Sequence, residues 1–160
     1  MGATALRRGP TLGEFVRRRL GSGSDLEQLK RMFGRSFGAG SFGAFWRYWN
    51  PVYTYYLDRF VYRPLRKVLP RPLAVVATFA CSGFLLHDLP FWWGVTVLRT
   101  RSLPVPFVAL WFALMAVLAL LEARLGLEYA ALPFRARVAI NALHIGVAGL
   151  LAFGVVALTR

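Results

Sequence analysis

Three long apolar runs constrain what this chain can fold into more than any other feature. They cover residues 72–89, 105–121 and 138–158, and none of them holds more than one acidic or basic side chain apart from histidine. An α-helix rises 1.5 Å per residue, so runs of this length extend over roughly 25 to 32 Å, which is about the thickness of a bilayer's hydrocarbon core. We therefore predict an all-α membrane protein with about three transmembrane helices.

Positive charge is concentrated ahead of the first apolar run. Of the 20 Lys and Arg residues, 14 precede residue 72, where there are only 4 Asp and Glu residues. Basic flanks are retained in the cytoplasm, so we expect a cytoplasmic N-terminus and a cytoplasmic second loop. Because the charge lies next to a span, we expect membrane lipids with anionic headgroups as partners, and no nucleic acid.

These features predict an integral protein of a bacterial-type inner or plasma membrane. The first twenty residues contain no apolar stretch of the signal-peptide kind, so we expect no cleaved secretion signal. The chain then divides into three parts. Residues 1–24 are predicted to be a basic, disordered tail, residues 25–71 an amphipathic interfacial segment, and residues 72–160 the transmembrane helical domain.

The interfacial segment starts with a short predicted helix at residues 25–33, capped by Ser24 or Asp25. The glycine-rich stretch at residues 34–43 is not followed by the Lys-Ser/Thr of a phosphate-binding loop, so we expect a flexible connection.

Aromatic residues are most dense between residues 42 and 62, which hold ten aromatic side chains, including five of the six tyrosines. Over residues 44–63 a helical period places five side chains on one stripe: Phe45, Trp49, Val52, Tyr56 and Phe60. Because Trp and Tyr favour the bilayer interface, we predict an amphipathic aromatic helix lying there. Trp92 and Trp93, after the first run, are expected to be further interface anchors.

His87 and Asp88 lie near the end of the first predicted span. Ionisable residues in a membrane segment are costly and point to function by default. In an α-helix, Ala80, Gly83 and His87 share one face, and an apolar setting favours a neutral imidazole that can accept a proton. The alternative is that His87 and Asp88 only end the helix at the interface, before Pro90. The span considered alone favours this alternative.

Asn50 also has two interpretations, because it directly precedes Pro51. Proline disfavours α geometry at the residue before it and suits the first turn of a helix, so Asn50 is expected to cap a following helix. In the second interpretation, the break in the helix at Asn50 turns the side-chain amide toward a cavity. The capping role and the cavity role are compatible.

Three sequence elements occur in a fixed order: "FWRYWNPV", then "RFVYRPL", then "TFACSGFLLHDLP". Together they resemble the membrane-bound O-acyltransferase family over about residues 43–90. The resemblance is greatest to its sterol and diacylglycerol acyltransferase or wax synthase branches.

The resemblance implies that His87 is the catalytic base, deprotonating a hydroxyl that attacks an acyl thioester. It implies that Asn50 orients a reactant or stabilises developing charge. Asp88 stands where this branch often has Glu. Consecutive helical residues point about 100° apart, so we expect an ion pair between Asp88 and an Arg rather than contact with His87. Four further residues of the same motifs are expected to support the site. Ser82 and Gly83 provide packing and clearance, and Trp49 and Arg47 accompany Asn50 in its motif.

The resemblance also implies that the acyl donor, acyl-CoA or another acyl thioester, is a substrate, so no bound cofactor and no metal site are expected. The single cysteine, Cys81, excludes a disulfide within the chain and is expected to be a core residue. His144 is expected to form an interhelical hydrogen bond, and Glu122, Arg124 and Glu128 are expected to be loop charges.

Members of this family have roughly three times as many spans, which enclose the reaction chamber. We therefore expect a homo-oligomer or a complex with a second acyltransferase-like chain. The alternative function is a non-catalytic membrane subunit or remnant of an acyltransferase. A more distant alternative is a basic membrane protein that binds anionic lipid or nucleic acid.

Overall fold

The computed structural model describes residues 9–93, 97–99 and 105–159, and the side chains of residues 91–93 are outside this description. No strand occurs within these residues, which confirms the predicted all-α class. Seven helices organise the part used below: α1 Leu12–Leu20, α2 Asp25–Phe37, α3 Phe42–Tyr48, α4 Pro51–Leu57, α5 Arg71–Gly83, α6 Phe107–Leu125 and α7 Phe134–Leu158. A π-helical turn, Asp58–Tyr62, and a short turn, Arg63–Leu65, continue α4, and a longer π-helical segment, Phe84–Trp93, continues α5.

In the described part of the chain, three helices are long and apolar enough to cross a membrane, as predicted. They cover Arg71–Pro90, Phe107–Leu125 and Phe134–Leu158. The first joins α5 to most of the π-helical segment, so a change of helix type falls inside one span. The predicted interface anchors Trp92 and Trp93 lie where side chains are outside the description.

The spans pack in chain order, α5 against α6 and α6 against α7. Gly83 allows the closest approach: a Cβ there would lie 2.5 Å from the carbonyl oxygen of Val108 and 2.8 Å from the Cα of Ala109. Small residues permit such backbone contact between membrane helices, which lack a strong hydrophobic drive to associate. The role of clearance expected for Gly83 fits this position.

The N-terminal segment is more ordered than its composition suggests. The predicted disordered tail is wrong for Leu12–Leu20, because this stretch forms α1, while residues 1–8 lie outside the described part. Thr11 and Glu14 form a reciprocal capping box at its start, which satisfies two backbone N–H groups. Tertiary packing adds to this: the ring of Phe15 meets Tyr55 edge-on at 5.4 Å, and Leu20 is buried.

Helix α2 is capped by Ser24, one of the two predicted caps, and extends four residues beyond the predicted end, to Phe37. The glycine-rich connection that follows is packed rather than flexible. A Cβ on Gly40 would lie 2.6 Å from the Cβ of Ala130, and one on Gly38 would collide with the ring of Phe134. Glycine is needed at both positions because the chain passes directly against α7 and the loop before it.

The aromatic segment is two helices, and not the single helix predicted over residues 44–63. Helix α3 ends at Tyr48 and α4 starts at Pro51, because Asn50 adopts a left-handed conformation with φ of 40°. The predicted stripe is divided in consequence. Phe45 is buried in the core that α3 forms with α6 and α7, whereas Phe60 is 71% exposed.

A buried polar cluster ties this segment to the spans; we call it the α6–α7 polar cluster, and its members are Glu122, Tyr129, Asn141 and His144. The fully buried Asn141 donates to the carbonyl oxygens of Phe37 at 2.9 Å and Ala39 at 3.0 Å, and it accepts from the Tyr129 hydroxyl at 2.8 Å. Burial, followed by the nearby Glu122 carboxylate, raises the pKa of Tyr129.

Glu122 corrects a prediction, because it is a buried member of α6 and not a loop charge. Its carboxylate accepts the backbone N–H of Phe42 at the start of α3. The Nε2 atom of His144 lies 3.7 Å from Glu122 Oε1, while its Nδ1 atom lies 2.8 Å from the carbonyl oxygen of Ile140 on the same helix. Glu128 is exposed in the loop, as expected, whereas Arg124 is exposed but lies in the last turn of α6 and is not a loop charge.

Candidate functional site

A cavity of about 690 Å³ lies between the aromatic segment and the first two spans. Its lining comes from α1, α3 and α4 on one side and from α5, the π-helical segment and α6 on the other. Most of the wall is apolar or aromatic, contributed by residues such as Trp46, Phe79, Trp111 and Phe112. Pockets of this size and character are typical of sites for small, largely apolar ligands.

The structure brings most of the predicted site residues to this one cavity. His87, Asn50, Ser82, Trp49 and Arg47 all line it. These residues come from separate elements: Arg47 from α3, Asn50 from the break before α4, Ser82 from α5 and His87 from the π-helical segment. Asp88 and Gly83 are not among the lining residues: Gly83 forms the close contact between α5 and α6, and Asp88 contacts the start of α6.

His87 is half-buried in the π-helical segment, and its ring packs at a tilt against Phe112, with ring centroids 5.3 Å apart. Its Nδ1 atom is buried and has no hydrogen-bond partner among the described residues. The face predicted for Ala80, Gly83 and His87 assumed an α-helix throughout. The α-helical register ends at Gly83, because the chain continues with the wider π-helical turn.

Asn50 combines both predicted interpretations. Its Oδ1 accepts the backbone N–H of Tyr53 at 3.3 Å, which caps α4, and Pro51 occupies the first helical position. It is the only non-glycine residue with positive φ in the described part, a conformation that asparagine tolerates better than most residues. Oδ1 is used by the cap, and the amide Nδ2 forms no hydrogen bond with the described residues.

Among the described residues, Asp88 does not form the expected ion pair with an Arg. Its carboxylate, 2% exposed, accepts the backbone N–H groups of Val108 at 3.0 Å and Ala109 at 2.6 Å. Helix α6 begins after Pro106 with no side-chain cap of its own, so its first N–H groups need an acceptor from elsewhere. A carboxylate at a helix N-terminus is also favoured by the helix dipole. Asp88 therefore fastens the π-helical segment, and His87 with it, to the start of α6.

The supporting residues differ in exposure. Ser82 is buried, at 7% exposed, while Arg47 is exposed at the cavity rim. Trp49 stacks on Phe45 with centroids 5.4 Å apart and meets Phe33 of α2 edge-on at the same distance. These contacts hold the break at Asn50 against α2 and α3.

Sequence reasoning missed several residues of the cavity, above all Arg19. This side chain reaches the cavity from α1, in the segment predicted to be disordered. Burial lowers the pKa of Arg19, and the neighbouring Arg47 lowers it further. The capping box at Thr11 and Glu14 was the available signal for α1, but nothing in the sequence distinguishes Arg19 from Arg17 and Arg18.

Trp46 and Trp111 were missed as well, and they differ in one respect. The indole N–H of Trp111 donates to the carbonyl oxygen of Ile145 at 2.9 Å and links α6 to α7. The indole Nε1 of Trp46 is buried without a partner among the described residues. No group of three or more His, Cys, Asp or Glu residues in the described part is placed to hold a metal ion.

Comparison with protein families matches residues 10–122 to the membrane-bound O-acyltransferase family. The matched region is more than two thirds of the chain, begins just before α1 and ends at Glu122. It includes all the described residues that line the cavity. Searches of curated proteins and of solved structures found no match. Because the family match covers well over half of a chain with three membrane-spanning helices, this integral membrane protein belongs to the membrane-bound O-acyltransferase family.

Proposed function

We propose that this protein transfers an acyl group from a thioester to a hydroxyl acceptor, with His87 as the general base. The observation that carries the proposal is the shared cavity: His87 and Asn50, which lie on separate elements, both line it. The finer assignment follows the resemblance described above. We propose acyl-CoA as the donor and a lipid hydroxyl as the acceptor, as in the sterol, diacylglycerol and wax ester branches.

In this reaction the neutral imidazole of His87 takes the proton from the acceptor hydroxyl as the hydroxyl oxygen attacks the thioester carbonyl carbon. The C–O ester bond forms, the C–S bond breaks, and the departing thiolate receives the proton from the imidazolium. Negative charge develops on the carbonyl oxygen during the attack. The Nδ2 amide of Asn50, which the helix cap leaves unused, is the proposed donor to that oxygen.

The cavity walls suit this chemistry because they are dominated by aromatic and aliphatic side chains. An alkyl chain placed there loses its contact with water, which stabilises binding in proportion to the apolar area covered. Exclusion of water also protects the thioester from hydrolysis and strengthens the electrostatic interactions at the carbonyl.

A second function, a non-catalytic subunit of an acyltransferase assembly, is favoured by one observation. A general base is usually oriented by a partner on its second ring nitrogen, but His87 Nδ1 has none among the described residues. In this second function the cavity is structural or binds lipid, and the base is supplied by another chain.

The deciding experiment measures acyl transfer by the purified full-length protein in detergent, with the molecular mass determined on the same sample. His87→Ala is expected to lower the transfer rate by about 10²- to 10⁴-fold, the usual contribution of a positioned base. Ser82→Ala is the matched control, because Ser82 lines the same cavity and we expect packing rather than nucleophilic attack from it. If the wild type transfers acyl groups and His87→Ala is equally active, His87 is not the general base, and the non-catalytic subunit is favoured.

A further inference from the structure

The charged residues that line the cavity are unbalanced. Among the described residues they are Arg19, Arg47 and Asp58. Asp58 is already neutralised by Arg63, whose Nε and Nη2 atoms lie 2.9 Å and 2.8 Å from Asp58 Oδ2. Within the described residues, neither Arg19 nor Arg47 forms an ion pair. Neither guanidinium group at the cavity therefore has a carboxylate within ion-pair distance among the described residues, although the more distant Asp58 offsets part of the lowering of the Arg19 pKa.

The same two residues are held close together. Arg19 Nη1 donates to the backbone carbonyl oxygen of Arg47, and the Arg19 guanidinium carbon lies 4.1 Å from the centre of the Phe15 ring. These contacts fix the direction of the side chain. No other hydrogen bond of either guanidinium group is formed with described residues, so most of their N–H donors remain free. The charge of Arg47 lowers the pKa of Arg19, so the two like charges repel each other, and an anion placed between them would offset this repulsion.

We propose that Arg19 and Arg47 form an anchor for a phosphate group carried by an amphiphilic ligand whose alkyl or acyl chain occupies the cavity. The inference rests on the proposed function, because it places the ligand in the same cavity. Guanidinium groups bind phosphate oxygens with paired, charge-assisted hydrogen bonds, and a preorganised Arg side chain loses little entropy in doing so. The aromatic wall then receives the apolar part of the same molecule.

The proposed anchor accounts for the position of α1 beside the cavity. The helix lies outside the spans, yet its capping box, its Phe15–Tyr55 contact and the Arg19–Arg47 hydrogen bond hold it across one side of the cavity. The shared chemistry is a phosphate next to a long chain. Two sources supply it: a phosphorylated thioester donor and a phospholipid headgroup.

The first test measures binding of dodecyl phosphate and of dodecanol to the purified full-length protein in a non-ionic detergent. We expect wild type to bind the phosphate more tightly than the alcohol. Arg19→Gln and Arg47→Gln should each weaken phosphate binding by about tenfold, because each removes a charge-assisted contact. Dodecanol binding should stay within about twofold in all variants.

Arg18→Gln is the matched control, since Arg18 is an exposed neighbour on the same helix that does not line the cavity. Equal weakening by Arg18→Gln would show a general charge effect and overturn the anchor. Arg19→Lys retains a cation and should keep part of the phosphate binding. This variant keeps the test decisive if Arg19→Gln destabilises α1. Unchanged phosphate binding in Arg19→Lys, Arg19→Gln and Arg47→Gln would also overturn it.

The second test identifies the source by competition against bound dodecyl phosphate. Displacement by a long-chain acyl-CoA identifies a phosphorylated donor, and displacement by phosphatidylglycerol identifies a lipid headgroup. Displacement by neither overturns the proposal. Failure of the anchor and failure of acyl transfer remain distinguishable. If phosphate binding does not depend on Arg19 and Arg47 but the acyl-transfer rate depends on His87, only the anchor is overturned. If phosphate binding depends on the two arginines but no acyl transfer occurs, only the proposed reaction is overturned.

Discussion

At the scale of single residues, Asn50 shows how one side chain serves the fold and the proposed reaction together. Its backbone conformation ends α3, its Oδ1 starts α4, and its remaining amide group lies at the cavity. Few residues combine tolerance of positive φ, a short acceptor for capping and a spare N–H donor. The three requirements together account for an asparagine before Pro51.

Substitutions at Asn50 separate these roles. Asn50→Gly relieves the strain of positive φ and costs only a few tenths of a kcal/mol as a cap, so stability should stay near wild type. Asn50→Ala loses the cap and retains the strain, and should lower the free energy of unfolding by about 1 to 2 kcal/mol. Both variants lose the amide donor and should lower the acyl-transfer rate by about 10²-fold.

The measurements are thermal unfolding and acyl transfer on the same preparations. Asn50→Asp is the additional control, because it keeps the capping oxygen and tolerates the left-handed conformation but has no N–H donor. A full transfer rate in Asn50→Gly would leave Asn50 with the cap and the turn as its only roles.

At the scale of elements, the sequence predicted which segments are helical better than how they meet. Runs of apolar residues are enough to predict α5, α6 and α7, because a membrane span depends on length and composition. The break between α3 and α4 was also visible at Asn50 and Pro51. The predicted aromatic stripe assumed a continuous helix across this break. Phe45 and Phe60 were therefore placed on one face, although only Phe45 is buried.

Contacts between elements were beyond sequence reasoning for a physical reason. Asp88 accepts N–H groups of residues 108 and 109, across a connection in which no pattern indicates a helix cap. Glu122 lies at the end of an apolar run, where a surface charge is the usual interpretation, and only the arrival of α3 makes it a buried acceptor. Sequence periodicity describes one element at a time and does not contain these pairings.

The cap that Asp88 provides leads to a stability prediction. Asp88→Ala leaves two buried N–H groups at the start of α6 without an acceptor and should lower the free energy of unfolding by about 2 kcal/mol or more. Asp58→Ala removes only a solvent-accessible pair with Arg63 and should cost less than about 1 kcal/mol. Chemical unfolding in detergent micelles compares the two, and equal losses would argue against the cap as a main connection between α5 and α6.

At the scale of the whole molecule, the spans and the extramembrane helices form one structure around the cavity. Helices α2 and α3 pack on α6 and α7, and the α6–α7 polar cluster holds the connection between α2 and α3. The N-terminal segment and the loop between α6 and α7 therefore lie on the same side of the three spans, since Tyr129 of that loop donates its backbone N–H to Gly40 at 2.8 Å. The charge distribution predicts that this side is cytoplasmic.

This orientation is tested by labelling single cysteines in intact cells with a membrane-impermeant maleimide. The background is Cys81→Ser, which removes the single, half-buried native thiol. Leu98 and Leu127 are 83% and 54% exposed and lie in the connections that precede and follow α6. Leu98→Cys should react in intact cells, whereas Leu127→Cys should react only after permeabilisation, because the basic N-terminal side is retained in the cytoplasm.

Reaction of both cysteines in permeabilised cells is the control for accessibility. The reverse pattern in intact cells would place the N-terminal helices, and with them Arg19 and Arg47 beside the cavity, outside the cytoplasm.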